Sequence, residues 1–179
     1  MKELSLNILD IAMNSVKAKA ENIGIFIEET DETLCVTISD DGCGMSEEMV
    51  KSVTDPFCTT RTTRKVGMGI PLLKLAAEQT GGEFSIKSSD RPDDHGTVTK
   101  ADFYKNHIDF TPLGDVISSV TTLIQGAPDI DWKFVHSKGN ASVELDTKEL
   151  RAVLGDVSLS NYEVIKWIED YLKEGYESI

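Results

Sequence analysis

The chain has 179 residues, 40% hydrophobic and 27% charged, and carries a net charge of −13. That charge repels a nucleic-acid backbone and an anionic lipid surface, so neither is an expected partner. No apolar run approaches the ~18–20 residues that cross a bilayer. Asn7 and Asp10 interrupt the first apolar stretch, so no signal peptide is expected. The three cysteines, Cys35, Cys43 and Cys58, are odd in number and lack CxxC spacing. This favours free thiols, a reducing cytoplasm and no cysteine metal site.

In chain order, Leu9, Ala12, Met13, Val16 and Ala20 recur at helical spacing and predict a helix over 1–20. Residues 23–29 and 34–39 read as strands; Leu34, Val36 and Ile38 alternate with Cys35, Thr37 and Ser39. The glycine-rich stretch DDGCGMS follows, then a short helix over 46–53 with Glu47 and Glu48 in its first turn. Residues 54–68 have no period, are rich in Thr and Arg, and read as a loop. A helix starts near Pro71, runs to Gln79 and stops at Gly81-Gly82. Strands 83–88 and 96–104 flank a polar turn, DRPDDH, in which His95 is expected to be solvated.

From His107 the character changes. Leu113, Val116, Ile117, Val120, Leu123 and Ile124 make an amphipathic helix over 112–126, expected to bury its wide apolar face on the first region. WKFVHS and NASVEL flank Lys138-Gly139 as a hairpin. Asp146 with Glu149 and Ser160 with Glu163 have capping-box spacing, so two more helices are expected, stopping at Gly155 and Gly175. Trp132 and Trp167 are expected to pack inside.

Four clusters in the first region carry chemistry. Asp10, Asn14 and Lys17 stand at i, i+4 and i+7, which at ~100° per residue places them on one stripe beside the apolar face. As a solvated edge the stripe needs no function. As a site it offers a neutral oxygen to Mg²⁺, an ammonium to phosphate, and a carboxylate that can orient or deprotonate an attacking group. Asp40-Asp41-Gly42-Cys43-Gly44 follows a strand directly; its alternate glycines let backbone approach a flat ligand. A carboxylate at the strand end matches a donor such as the exocyclic amine of adenine. Gly67-Met68-Gly69-Ile70 leads into a helix, where unpaired amides meet anions. Arg61, Arg64 and Lys65 just upstream make the preceding loop the one basic stretch, as suits a lid over phosphates. Gly96-Thr97 opens the closing strand, and its value lies in the order of the series.

That order, ELxxNxxDxxxNS, DxGxG, DPFxTT, GxGI and GT, resembles the ATP-binding superfamily of DNA gyrase, heat-shock chaperones, sensor histidine kinases and MutL. Asp55-Pro56-Phe57-Cys58-Thr59-Thr60 and the short lid look most like the histidine-kinase branch. The resemblance covers residues 1–105. It implies a two-layer α/β sandwich of the Bergerat type binding ATP with Mg²⁺, with residues 106–179 as a small α+β appendage. It further implies that Asn14 holds Mg²⁺ and Lys17 binds phosphate. Asp40 would accept from the adenine amine, Thr97 would support it through water, and Gly42 and Gly44 would shape the adenine floor, with Met45 among the cofactor-binding residues. Thr59, Thr60, Arg61, Gly67, Met68, Gly69 and Ile70 would form the lid and phosphate contacts. Asp10 falls where hydrolysing and serine-phosphorylating members carry a Glu base, one methylene longer.

No helical hairpin with a phosphoacceptor His precedes the first ATP-site helix in this sequence, and His95, His107 and His136 follow the core motifs. Self-contained histidine autophosphorylation is therefore not expected. The leading expectation is a cytoplasmic protein kinase or phosphotransferase acting on a partner protein. The competing one is an ATP-gated, anti-sigma-like interaction switch with little turnover. A third is a catalytic half that phosphorylates a histidine-bearing domain on another chain. The oligomeric state, monomer or homodimer, stays open.

Overall fold

The computed structural model describes residues 3–55 and 68–179. The first helix, α1 (Leu4–Lys17), is shorter than the stripe predicted. It leads to the antiparallel pair β1 (Asn22–Glu29) and β2 (Thr33–Asp40), then to α2 (Glu47–Thr54), capped by the Ser46 hydroxyl. Helix α3 (Gly69–Gln79) starts two residues before Pro71, so Pro71 sits within its first turn, where a missing N–H costs nothing. Strands β3 (Phe84–Arg91) and β4 (Asp94–Tyr104) pair antiparallel and leave only residues 92–93 as the turn. His95 is thus a strand residue, which corrects its placement in a polar turn.

The later region continues with α4 (Val116–Gly126), the hairpin β5 (Asp131–Lys138) and β6 (Ala141–Asp146), then α5 (Thr147–Leu154) and α6 (Tyr162–Tyr176). Three local expectations change. Leu113 lies ahead of α4, whose cap is Asp115. Asn161 rather than Ser160 caps α6, accepting from the Glu163 amide. Gly175 lies in the last turn of α6, one residue before its end, and its lack of a side chain serves packing: a Cβ there would fall 2.8 Å from Val143.

The six strands among the described residues form one sheet in the order β3-β4-β2-β1-β5-β6. Strands β1 and β5 run parallel, pairing Asn22 with Asp131 and Glu29 with Lys138, while the other pairs are antiparallel. Helices α3, α1, α4 and α6 lie in that order along one face. Alternation points Ile23, Ile25, Ile27, Val36, Ile38, Phe103 and Phe134 into this layer, where all are buried. Each such side chain stabilises the fold by roughly 1.5–3 kcal/mol through transfer from water. The architecture is a two-layer α/β sandwich with a mixed sheet.

The later region is sewn into this sandwich. Leu4 and Ser5 of α1 donate their amides to Pro112 and Leu113 at 2.9 and 2.8 Å, satisfying donors that a helix start leaves orphaned. The Ser119 hydroxyl of α4 donates to the Ser5 carbonyl at 3.1 Å. The apolar face of α4 is buried between α1 of the first region and α6 of its own. Trp132 is 3% exposed and donates its indole N–H to Ala127. Trp167 is 51% exposed, contrary to the expectation that it packs inside.

The far end of β1 holds a buried polar cluster. His136 is 2% exposed; its Nε2 lies 3.2 Å from a Glu29 oxygen and its Nδ1 2.6 Å from the Tyr176 hydroxyl. A carboxylate only accepts, so Nε2 carries the proton and the Tyr176 hydroxyl donates to Nδ1. Burial raises the Glu29 pKa, but Lys105, bonded at 2.6 Å, and Lys138 outweigh it and hold the carboxyl below its ordinary range. Burial pushes His136 below its usual value despite Glu29.

Candidate functional site

Asp40 ends β2 on the helix side of the sheet. Its Oδ2 accepts the Ser15 hydroxyl of α1 at 2.5 Å and its Oδ1 accepts the Gly42 amide at 2.9 Å. A carboxylate has about four lone-pair sites, so two remain for an incoming donor. Its register partner on β4 is Thr97, which the sequence links to it only through motif order. The Thr97 hydroxyl lies 2.7 Å from that of Ser88 on β3.

Asp41 does different work. Its Oδ1 accepts the amides of Glu21 and Asn22 at 2.8 and 2.9 Å, and its Oδ2 takes the Asn22 side-chain amide at 2.7 Å. Burial raises its pKa, but these hydrogen bonds, Asn22 foremost, outweigh that and hold it below 3.8. Adjacent carboxylates therefore divide: one ties down the α1–β1 connection, the other faces α1 with acceptor capacity to spare.

The glycine loop is clamped from two sides. Towards α1, the Cys43 amide donates to Ala18 at 2.9 Å, and a Cβ on Gly42 would lie 2.8 Å from the Ala18 Cβ. Towards the β3–β4 hairpin, the Met45 amide donates to Ser88 Oγ and the His95 Nδ1–H donates to the Gly42 carbonyl, both at 2.8 Å. Gly44 has φ +67°, and a Cβ there would fall 1.7 Å from the Ser89 carbonyl oxygen. Both glycines are thus demanded by close backbone approach. Ser15, Ser88 and His95 were not singled out from sequence as site residues. Lone serines and a histidine in a polar run carry no signal before the strands are paired.

On α1, Asp10 and Lys17 are exposed and Asn14 is half-buried, on one stripe as spaced. No ion pair joins Asp10 to Lys17 among the described residues. Asn7, seven residues before Asn14 on the same face, is 1% exposed, and its Nδ2 has no hydrogen-bond partner among the described residues. Gly69 opens α3 against this stripe: a Cβ on it would be 3.0 Å from the Asp10 Cβ and 3.7 Å from Ile11. The α3 N-terminus therefore abuts Asp10. Ile70 is buried, Met68 is exposed, and Met45 packs on the core edge. Thr59, Thr60, Arg61 and Gly67 lie outside the described residues.

These residues fit a magnesium nucleotide. There is a carboxylate acceptor with free lone pairs, a glycine cradle that a Cβ would fill, a helix N-terminus, and a neutral oxygen donor on the facing helix. Among the described residues no group of three His, Cys, Asp or Glu side chains could hold a metal. Magnesium asks for few protein ligands when phosphate oxygens complete its shell. A groove of about 360 Å³ opens mainly on the other face of the sheet, where Gly24, Phe26, Ser39 and Lys133 alternate away from the helices, and reaches Asp40 and Asp41 at its edge.

An α/β sandwich with a glycine loop at the end of a central strand and a helix N-terminus facing the first helix defines the architectural class. Residues 1–107 match the family described as histidine kinase-, DNA gyrase B- and HSP90-like ATPase, and the chain belongs to that family. Over 97 residues it is 27% identical to the tetrathionate sensor histidine kinase TtrS of Salmonella typhimurium, spanning 54% of this chain and 16% of that one. Over 91 residues it is 30% identical to sporulation kinase E of Bacillus subtilis, spanning 50% of this chain and 12% of that one. The match thus covers a small part of these kinases. Among solved structures, the Aquifex aeolicus MutL ATPase domain complexed with ADP aligns with 99% of this chain and 70% of its own, at TM-score 0.55 and 12% identity. The N-terminal domain of a DNA repair protein covers 87% of this chain and 58% of its own, at TM-score 0.58 and 15% identity. Those two likenesses speak to fold alone. The chain carries an ATPase domain of the histidine-kinase type, and no helix among the described residues is long and apolar enough to cross a membrane.

Proposed function

We propose that residues 1–105 bind Mg·ATP and that the chain uses it as a protein kinase or phosphotransferase on a partner protein. The observation that carries the binding reading is Asp40, held by Ser15 and the Gly42 amide with acceptor capacity left over, opposite Thr97. In this reading Asp40 accepts from the adenine amine, Thr97 supports it through water, and Gly42, Gly44 and Met45 shape the floor. Asn14 ligates Mg²⁺ and Lys17 neutralises phosphate charge. The Gly69 helix start, with Met68 and Ile70, presents amides to the phosphates, and Thr59, Thr60, Arg61 and Gly67 complete the lid. Bound magnesium would draw charge from the phosphate oxygens. In this reading Asp10, which lies beside that helix start, orients an attacking hydroxyl. Residues 106–179 serve as the partner-facing part of a cytoplasmic protein.

One observation favours a second reading, an ATP-gated switch with little turnover. Asp10 has no hydrogen-bond or ion-pair partner among the described residues that would hold it in a catalytic pose. A base oriented by nothing is a poor base.

Label transfer separates the two. The protein is incubated with terminally labelled Mg·ATP and lysate from its own source, beside Asp40→Asn and Asp10→Asn. A partner labelled by wild type and not by Asp10→Asn is expected for the kinase. An alkali-stable, acid-labile label would mark histidine as the acceptor. Nucleotide binding with no labelled protein gives the switch, and absence of nucleotide binding overturns both.

A further inference from the structure

Helix α6 buries Val164, Ile168 and Leu172 against the sandwich, yet it exposes two large aromatics. Trp167 and Tyr171 are 51% and 43% exposed and stack on each other, ring centroids 5.2 Å apart and planes 13° from parallel. At ~100° per residue their edge of the helix is bordered by Glu163, Asp170 and Glu174, which stand four before, three after and seven after Trp167. All three acids are exposed, and none forms an ion pair among the described residues. Lys166 and Lys173 lie beyond Asp170 on the same flank, farther round from the aromatic pair than Asp170 and Glu174, and Lys173 is held by Glu169. The result is a stacked, half-open aromatic slab with carboxylates along one flank, on a chain of net charge −13.

An exposed tryptophan costs solubility and contributes little to the core, and aromatic side chains are enriched where proteins meet. The surrounding charge selects the partner. A second copy would bring the same carboxylates against these, and an acidic or lipid surface would be repelled. A guanidinium satisfies both features: its plane lies on an aromatic face and its N–H groups bond a flanking carboxylate. We propose that this face of α6 docks an arginine-bearing basic segment of a partner protein. The inference does not rest on the nucleotide site, which is built from other elements.

The test uses the full chain and a dye-labelled octa-arginine peptide, followed by fluorescence anisotropy at 0.15 M salt. Trp167→Ala with Tyr171→Ala is expected to weaken binding about tenfold or more, and Asp170→Asn with Glu174→Gln similarly. Asp31→Asn with Glu32→Gln, which removes the same charge at the β1–β2 turn, is expected to leave affinity within about twofold. Thermal melts of each variant check that the fold is kept; should the aromatic pair fail that check, Trp167→Phe with Tyr171→Phe replaces it and is expected to bind more weakly than wild type. No binding of the peptide, or equal loss in the turn variant, overturns the proposal in favour of diffuse attraction. Concentration-dependent self-association abolished by the aromatic variants also overturns it, by making a second copy the occupant.

Discussion

The Ser15 hydroxyl of α1 donates to the Asp40 carboxylate at the end of β2 across 2.5 Å, so the first helix sets the direction in which that carboxylate faces. Under the proposed function Asp40 receives the adenine amine. Asp40→Asn presents a donor to a donor and leaves both unpaired, a loss of ~2 kcal/mol, or about thirtyfold in ADP affinity by calorimetry. Ser15→Ala keeps the acceptor and removes only its guide, so a several-fold loss is expected. Wild-type affinity in Asp40→Asn would show that the adenine sits elsewhere.

The hairpin clamp predicts a local effect at His95. His95→Ala frees the Gly42 carbonyl, while Ser88 still holds the Met45 amide. Hydrogen exchange of the 42–45 amides should quicken, ADP affinity should fall severalfold, and the melting temperature should move little because His95 is exposed.

Two glycines give opposite expectations. Gly44→Ala places a Cβ onto the Ser89 carbonyl at φ +67°. The left-handed backbone alone costs ~1–2 kcal/mol and the overlap adds to it, so the melting temperature should drop by upwards of about 5 °C. At Gly126, in the last turn of α4, nothing lies within 4 Å of a new Cβ. Gly126→Ala should leave stability unchanged or raise it by up to ~1 kcal/mol.

The cluster at the far end of β1 makes stability pH-dependent. His136 faces Glu29 and Tyr176, with Lys105 and Lys138 around Glu29. Burial holds its folded pKa below the ordinary 6.5, so between the two values the unfolded chain binds more protons than the folded one. Its contribution is complete above 6.5 and is lost as pH falls through the folded value. Melting temperature should decline on acidification from about pH 6.5. His136→Gln, which carries no titrating ring, should flatten that decline while lowering stability at neutral pH.

Much of the fold was legible residue by residue. The alternation of Leu34, Val36 and Ile38 reports a face that must be buried, and a strand with one buried face has no freedom of register. The stripe of Asp10, Asn14 and Lys17 follows from helix pitch alone. Capping was read less well: Ser160 and Asn161 are both good caps, and only the path of the chain into α6 chose Asn161.

What the sequence determined by itself was therefore whatever depends on short separations: helices, alternating strands, and the ordered motifs by which the chain belongs to an ATPase family. Tertiary structure decided the long-range partners. It brought Thr97 opposite Asp40, turned Ser88 and His95 onto the glycine loop, and set Gly69 against Asp10. It also extended the sheet through β5 and β6, so that His136 meets Glu29, and it left Trp167 facing outward. The physical reason is the same throughout. Propensity and period act within a few residues, whereas a hydrogen bond or a close backbone approach between distant segments exists only once the sheet register is fixed.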